Sequence, residues 1–437
     1  MVAGLAAAAA FVVLAMVRPR MAVLAMVAFP PGVLASITSS AAITDYLLYA
    51  VIAVSVVALL LRRRIGNLWF VGGYGAVLVL MGLSVALSRV PGAVGARAEF
   101  ATFGYYLAVY LLVLNVAPDS RRESLSFARQ LSGAILLSVL VTGAIGIVQL
   151  GTSYFPSFDI RLFPENAGFM FSRTHFGYLM AVGFAVALAR WASDRSRRPL
   201  WSVLTLVTFG LVIISMTRGA WAAALVMIVV VGVLNRKWWM LTVVPATGLF
   251  ALIPAIQSRL ASDLQGGALL AIQSGSAGSH RILLWLVLWT VAVQSPFIGQ
   301  GFGYMSTLSP ALFFGQGQFV TAANPLVYAH NDLLYLMIEL GLIGVIPYVV
   351  GLTAWWGDLI GGMREVWGNA SPEKRAVVLA CFGIAFTTLV AQMSDNGFFI
   401  RAVFERFAVA AAALWLVRHL PQAEPEIQAN VDPELSV

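Results

Sequence analysis

The residues of this chain whose types suit chemistry are a histidine and a few arginines that border long apolar segments. Arg218 lies in the short sequence Ser215-Met-Thr-Arg-Gly-Ala-Trp221, between two apolar runs. The turn there should be tight, and Arg218 should begin the next helix. A cation at a helix N-terminus is unfavourable unless an anion joins it, because the helix dipole already places positive charge there. Either a nearby carboxylate or an anionic ligand would satisfy Arg218.

His330 is the second candidate, because it lies where a long apolar helix is predicted to start. The positive end of the helix dipole disfavours an imidazolium, and a general base must be neutral. The alternative is an interfacial polar cap. At about 100° per residue, Gly341 returns to nearly the face of His330, whereas Asp332 and Glu339 share the opposite face. Glu339 lies well inside the predicted span and should have a structural partner; Gly341 and Gly344 should allow close helix packing.

The elements that position these residues are predicted to be helices in a membrane. The chain has 437 residues, of which 60% are hydrophobic and 11% charged, and its mean hydropathy is +0.88. A soluble domain carries about 25% charged residues, so lipid must be the solvent for most of this chain. Because one span takes about 20 apolar residues, we expect an all-α, polytopic transmembrane helix bundle of about 12 spans (roughly 11 to 13).

Thirteen apolar runs give the candidate spans, each identified by its length and lack of charge. The first two are short, and Pro30-Pro31 interrupts the second, so they form either two spans or one broken hairpin. The runs are 3–17, 21–37, 43–61, 68–87, 99–116, 131–149, 176–191, 200–216, 219–235, 238–255, 331–354, 376–393 and 398–416.

Basic clusters fall on alternate loops and therefore on one side of the membrane, which the positive-inside rule assigns to the cytoplasm. The net charge of +8 is then a topology signal rather than a nucleic-acid footprint. The clusters are Arg62-Arg63-Arg64; Arg121, Arg122 and Arg129; Arg190, Arg195, Arg197 and Arg198; Arg236-Lys237; and Arg364, Lys374 and Arg375.

The same topology divides the chain into four regions. Residues 1–255 are N-terminal transmembrane helices, 256–330 a large loop on the outer side, 331–417 C-terminal transmembrane helices, and 418–437 a disordered cytoplasmic tail. The loop contains an apolar segment from Arg281 that is too short to span, with Trp285 and Trp289 one turn apart. We expect it to form a helix in or near the membrane interface, and a loop this long is usually functional.

Five arginines are candidates for substrate binding because they fall on the outer side, which the positive-inside rule tends to empty. Arginine suits forked recognition of phosphate, so the set indicates an anionic substrate. The alternative is residual surface charge, and 25 of the 27 basic residues are Arg in any case. The five are Arg161, Arg173, Arg218, Arg259 and Arg281.

Three motifs together resemble one bacterial family. His330-Asn331, nine residues and then Gly341-x-x-Gly344 resembles the His-[Asn/Ser/Gln]-x9-Gly-x-x-Gly signature of O-antigen ligases and related O-antigen polymerases. Arg281, Trp285 and then Pro296-Phe-Ile-Gly-Gln-Gly-Phe-Gly303 resemble the segment upstream of that histidine. The turn before and after Arg218 is similar to the family's arginine turn. The resemblance extends over roughly residues 145–400.

The resemblance implies a glycosyltransferase-C-like membrane enzyme of the bacterial inner membrane, with its active site facing the periplasm. The donor would be a glycan on undecaprenyl pyrophosphate. The acceptor would be a hydroxyl of lipid A–core in a ligase or of another glycan in a polymerase. Arg218 and Arg281 would stabilise the leaving pyrophosphate, and His330 would take the proton from the acceptor. Attack opposite the leaving group would invert the anomeric centre.

The resemblance also suggests residues that bind substrate. Asp395, in Ser394-Asp-Asn-Gly397, aligns with an acidic position that matters in these ligases, where it could orient His330 or bind acceptor; the alternative is a solvated turn residue. Arg161 and Arg173 resemble auxiliary basic positions, and Asn331 accompanies the histidine in its motif.

We expect no metal and no cofactor. Many polyprenyl glycosyltransferases hold a divalent metal with an acidic pair in an early outer loop, and the outer loops before residue 150 offer no such pair. The single cysteine, Cys381, excludes a cysteine zinc site and is interpreted as a small packing residue. A nucleotide-binding loop is not needed, because the pyrophosphate bond supplies the driving force.

The leading hypothesis is an O-antigen ligase. An O-antigen or exopolysaccharide polymerase, or a protein O-oligosaccharyltransferase of the same superfamily, would differ only in the acceptor. A transporter of an anionic lipid-linked glycan is the alternative from another class. A transporter should place ionisable groups along a path at mid-membrane, whereas the candidates here cluster at one face, which favours an enzyme.

Overall fold

A computed structural model describes residues 2–30, 41–87, 89–90, 96–154, 173–242, 277–308, 329–368, 370–394 and 400–420. Within these ranges the chain forms thirteen α-helices, two short 3₁₀ helices and no strand. It is an all-α polytopic membrane protein, as its composition predicts. The helices are α1 (Val2–Val17), α2 (Pro19–Ala28), α3 (Ala41–Arg62), α4 (Leu68–Ala86), α5 (Ala96–Val116), α6 (Arg121–Tyr154), α7 (Arg173–Ser193), α8 (Arg198–Ile214), α9 (Arg218–Leu234), α10 (Ala277–Ala292), α11 (Asp332–Trp367), α12 (Pro372–Ser394) and α13 (Arg401–His419).

Seven of the described helices are long and apolar enough to cross a bilayer: α3 to α7, α11 and α12. The apolar helices α1, α2, α8 and α9 are shorter, at 10–17 residues. The run 398–416 lies in the helix α13 from Arg401 onward, but the prediction that it lacks charge is wrong, since it contains Arg401, Glu405 and Arg406. The predicted span 238–255 begins with the 3₁₀ helix Trp238–Thr242, and the rest of it lies outside the described residues.

Small residues let the central helices approach closely, which is how helices pack when lipid offers no hydrophobic drive between them. A Cβ on Gly73 of α4 would lie 3.0 Å from the Cα of Gly351 in α11, so the two backbones touch there. In the same way a Cβ on Gly383 of α12 would meet the side chain of Ala185 in α7. α7, α12 and α13 are thereby buried over most of their length.

The buried Arg406 of α13 is explained by the end of a short helix. α2 stops at Ala28 inside the protein, where its last carbonyls have no continuing turn to bond. Arg406 is fully buried and donates to the carbonyl of Val27 (3.0 Å) and to the Ser138 hydroxyl (2.7 Å). Its guanidinium also lies 3.4 Å from the carboxylate of Glu405. Arg406 therefore satisfies the end of α2 in a place that water does not reach.

The bundle has two chemically different ends. At the first, which we call the site end, α7, α9 and α11 begin and α12 finishes; Tyr178 of α7 there shares a hydrogen bond with Ser394 of α12 (2.7 Å). At the opposite one, the basic end, Arg190 of α7 donates to the carbonyl of Arg129 (2.7 Å), and Arg129 lies 3.6 Å from Glu373. Which membrane face each end occupies stays a prediction.

Candidate functional site

The turn before Arg218 is as tight as the sequence predicts. α8 finishes at Ile214, and α9 begins at Arg218 after three residues. Met216 takes the left-handed conformation (φ 53°) that closes many helix C-termini. The Ser215 hydroxyl and the Trp221 indole both donate to the carbonyl of Val212, at 2.7 and 2.9 Å. These bonds fix the position from which the half-buried Arg218 projects.

This arginine turn packs between the start of α7 and the end of α12. A Cβ on Gly177 would lie 2.5 Å from the Thr217 hydroxyl, and one on Gly219 would lie 2.9 Å from the phenol carbon of Tyr178. Tyr178 in turn bonds Ser394, the residue before Asp395. Arg218 therefore shares the site end with the first turns of α7 and with the last residue of α12.

His330 lies two residues before α11 rather than at its first position, where the sequence analysis placed it. Asn331 is the N-cap: its side-chain oxygen accepts the amide of Leu334 (3.0 Å), and the helix begins at Asp332. His330 has a φ of 49°. Arg63, Met216 and Arg236 also have positive φ, but each follows a helix end, where this conformation is ordinary. Positive φ before a helix is less common, and with the cap it determines where the imidazole projects.

α10 is attached beside His330. The indole of Trp285 donates to the carbonyl of Ala329 (2.8 Å), the residue that precedes His330. Arg281 lies one helical turn before Trp285 on α10. The helix predicted from Trp285 and Trp289 therefore exists, and its Trp285 position is held next to the histidine.

The partner expected for Glu339 is a loop that begins shortly after α10. The fully buried Glu339 carboxylate accepts three consecutive backbone amides, from Gly303, Tyr304 (3.3 Å) and Met305 (2.8 Å). Without Glu339 the amides of Gly303 and Met305 would be unsatisfied donors in an apolar interior, whereas the Tyr304 amide also donates to the carbonyl of Gly301 (3.1 Å). We call residues 296–305 the inserted loop. Its Gly-rich motif and Glu339 form one structural unit.

The inserted loop enters α11 where that helix is broken. Gly341 has φ 66° and ψ −163°, a conformation open essentially only to glycine. Four loop–helix hydrogen bonds replace helical bonds lost there, so four backbone groups of the helix keep a partner. They run from Gln300 N to Ile338 O (2.7 Å), Gly301 N to Glu339 O (3.0 Å), Leu342 N to Pro296 O (2.8 Å) and Ile343 N to Phe297 O (3.0 Å).

Two expectations about α11 are corrected by this break. The placement of Gly341 on the face of His330 assumed an unbroken helix, and the dihedral angles of Gly341 interrupt it. The predicted close packing of Gly341 against another helix is also wrong, because a Cβ there would lie 2.5 Å from the amide nitrogen of Gly299 in the inserted loop. A Cβ on Gly344 would meet the side chain of Leu340 on its own helix.

Two acidic residues near the start of α11 were not selected from the sequence as functional. Asp332, the first residue of the helix, is 1% exposed. Glu99, in the first turn of α5, accepts the phenol proton of Tyr335 (3.1 Å). The signal for Glu99 is its place as the one carboxylate of α5. Both place a carboxyl group at the site end.

The structure places some of the predicted site residues at the same end of the bundle, whereas others lie outside what it describes. Arg218, His330 and Asn331 lie at the site end, where α9 and α11 each pack against α12. Arg173 begins α7 and Arg281 lies in the first turns of α10, but their side chains are outside what is described. Arg161, Arg259 and Asp395 lie outside the described residues. Among the described residues no group of three or more His, Cys, Asp or Glu could hold a metal ion.

Comparison with known proteins agrees with the motifs. Residues 203–349 match the family model described as O-antigen ligase. No curated protein matches the chain. The matched segment holds the arginine turn, α10, the inserted loop, His330 and the break at Gly341. It confirms the resemblance to the O-antigen ligase superfamily and supports a ligase- or polymerase-type activity on lipid-linked glycans in a membrane.

Proposed function

We propose that this protein is an O-antigen ligase. It would move a glycan from undecaprenyl pyrophosphate to a hydroxyl of lipid A–core, without a metal, at the periplasmic face of the inner membrane. The observation that carries the proposal is the joint position of Arg218 and His330. Arg218 begins α9 and His330 lies two residues before α11, at the same end of the bundle and within the segment that matches the ligase family.

The start of α9 suits the leaving group. A helix N-terminus presents free amides and partial positive charge, which favours a phosphate. Arg218 adds a guanidinium that can grip two phosphate oxygens at once. Arg281, one turn from the Trp285 anchor, would be the second cation, and Arg161 and Arg173 would bind more distant donor groups. Together they would stabilise the negative charge that grows on the pyrophosphate.

His330 would act on the acceptor. In the transfer, the bond between the anomeric carbon and the pyrophosphate oxygen breaks, and a bond from the acceptor oxygen to that carbon forms. The acceptor proton passes to an imidazole nitrogen of His330, and the pair of electrons leaves with the pyrophosphate. Attack on the face opposite the leaving group inverts the anomeric centre. Asp395 would orient His330 or hold the acceptor, and Asn331 fixes the start of α11.

The experiment is product identification with the purified protein. Full-length protein in nanodiscs would receive lipid-linked glycan and one acceptor at a time: lipid A–core, a second lipid-linked glycan, or a peptide. Glycan attached to lipid A–core is the expected product. A lengthened lipid-linked glycan would instead identify a polymerase, and a glycosylated peptide a protein oligosaccharyltransferase. Movement of intact donor across the membrane with no new covalent bond would overturn the proposal.

A further inference from the structure

The basic end of the bundle contains a large cavity. Its volume is about 1400 Å³, and it lies between the ends of α7, α9 and α11 and the starts of α8 and α12. Eight arginine and lysine side chains line it, including Arg195, Arg236 and Lys237, against two carboxylates. The positive-inside rule accounts for cations on one side of a membrane. It does not require that they converge on one concavity.

Local partners do not neutralise this charge. Hydrogen bonds from the Ser196 hydroxyl and the Trp201 indole hold the Asp194 carboxylate, which lowers its pKa. Burial first, and then the neighbouring Arg198 and Arg195, lower the pKa of Lys237. The cations thus crowd one another, and Lys237 rests against the Trp191 ring at 4.0 Å. An anion in the cavity would relieve this repulsion.

An apolar groove continues directly from the cavity. It measures about 620 Å³ and runs between α9 and α11, with Phe382 of α12 beside it. The cavity and the groove share Val233, Leu234 and Trp367, so they form one continuous surface. A soluble anion would use only the cavity. A molecule with a charged head and a hydrocarbon chain would use both.

The mouth of the cavity has the composition of a membrane interface. Trp238 and Trp367 both line the cavity and are 60% and 65% exposed. Tryptophan concentrates at the depth of lipid headgroups, where its ring is partly apolar and its N–H is wet. The two indoles therefore place the cavity at the level of the headgroups.

We propose that the cavity and groove bind one anionic phospholipid of the surrounding bilayer. Its phosphate would lie among Arg195, Arg236 and Lys237, and an acyl chain would lie along the groove by Val230. Basic pockets between transmembrane helices recognise lipid headgroups in this way. The site is separate from the proposed glycan chemistry: α9 begins at Arg218 and ends at Leu234, which lines the cavity, and this length is about 24 Å at 1.5 Å per residue.

The first test compares the retention of lipids by native mass spectrometry. Purified full-length protein would be exchanged into phosphatidylglycerol or phosphatidylcholine, and retained lipid measured as detergent is removed. The cavity variant carries Arg195→Gln, Arg236→Gln and Lys237→Gln. The control variant loses the same charge outside the cavity, through Arg63→Gln, Arg121→Gln and Arg122→Gln. We expect the cavity variant to lose at least about tenfold in phosphatidylglycerol affinity and the control to keep it.

The second test separates a lipid from a soluble anion. Val230→Trp fills the groove, whereas Leu206→Trp adds the same ring on an exposed face of α8. Val230→Trp should weaken phosphatidylglycerol binding and leave inorganic phosphate binding unchanged. Inorganic phosphate that competes fully, with no effect of Val230→Trp on the lipid, would overturn the lipid assignment.

Equal losses in the cavity and control variants would overturn the proposal, because they would show only general attraction to positive charge. If the triple cavity variant is not folded, as judged by its thermal unfolding, Lys237→Gln alone replaces it and should still reduce retention. The measurement needs no glycan transfer, so its failure and the failure of the proposed ligase function are distinguishable.

Discussion

Arg218 is the residue at which a forked phosphate contact and a simple topology signal predict different results. If its guanidinium grips pyrophosphate through two parallel donor bonds, Arg218→Lys should fail, because an ammonium cannot reproduce them. We expect a loss of at least about 100-fold in product formation at saturating donor, the scale of removing one strong transition-state donor. Arg63→Lys, outside the site end, should leave product formation unchanged. A fully active Arg218→Lys protein would exclude the forked contact and leave Arg281 as the better candidate.

His330 is tested by removing its imidazole. His330→Ala should abolish transfer while donor binding and thermal stability stay close to wild type, since loss of a general base typically costs roughly 10²- to 10⁴-fold. His419→Ala is the matched control: that ring lies at the basic end, 3.1 Å from Asp358, far from the proposed chemistry. Near-normal turnover by His330→Ala would show that His330 is not the general base. An unfolded variant would be recognised in the unfolding curve.

At the scale of the element, the break in α11 is what holds the inserted loop. Gly341→Ala would place a Cβ 2.5 Å from loop backbone in a conformation that only glycine adopts readily. We expect a destabilisation of about 1–3 kcal/mol from backbone strain, measured by thermal unfolding, together with loss of transfer. Gly357→Ala in the same helix has open space around it and should be tolerated or slightly stabilising. If the two variants were equally stable, the close contact between Gly341 and the inserted loop would be contradicted.

The Glu339 carboxylate makes a separate prediction about the same element. Glu339→Gln keeps the size of the side chain but turns an amide N–H toward one of the loop amides, which costs about 1–3 kcal/mol for a buried unmatched donor. Hydrogen exchange at Gly303, Tyr304 and Met305 should accelerate, while exchange in α7 should not. Glu123→Gln removes a mostly exposed carboxylate (63%). It should change neither the stability nor the hydrogen exchange of the three loop amides. Unchanged protection of the three loop amides in Glu339→Gln would show that the carboxylate does not hold them.

Local sequence is enough to predict the elements that depend on local chemistry. Apolar length predicted the helices, and the few polar residues between two runs predicted a tight turn with Arg218 at the next helix start; the turn has three residues. The spacing of Trp285 and Trp289 predicted α10. Glu339 is an ionisable residue inside an apolar run, and this position predicted that it has a partner. In each case the determining signal lies within a few turns of the residue concerned.

The partners themselves could not be predicted, because they are tertiary. The period of a helix places Gly341 over His330, but a loop from residues 296–305 replaces the helical bonds and ends that periodicity. Arg406 follows the same rule: its partner is the end of α2, almost the whole chain away. Neither contact leaves a trace in the local pattern beyond an unusual glycine or an unexpected charge.

At the scale of the molecule, the chemistry is divided between the two ends of the bundle. Arg218, His330 and the buried Asp332 lie at the site end, and eight cations converge on the cavity at the other. α9 and α12 reach both ends, so they connect the proposed donor site with the proposed lipid site. The candidate catalytic residues Arg218 and His330 lie at one end only, as expected of an enzyme with one reacting face rather than of a path across the membrane.

We also predict that the proposed active site works without a metal. The leaving pyrophosphate needs positive charge, and the site end already supplies Arg218 together with the helix N-terminus on which it lies. The early outer loops offer no acidic pair for a divalent ion, so arginine would do the work that magnesium or manganese does in other glycosyltransferases. Transfer by the purified protein should therefore proceed at an unchanged rate in excess EDTA, measured as product formed from lipid-linked glycan and acceptor. The control is a metal-dependent polyprenyl glycosyltransferase in the same buffer, which should stop. Activity of this protein that vanishes on chelation and returns with added magnesium or manganese would refute the arginine-only mechanism.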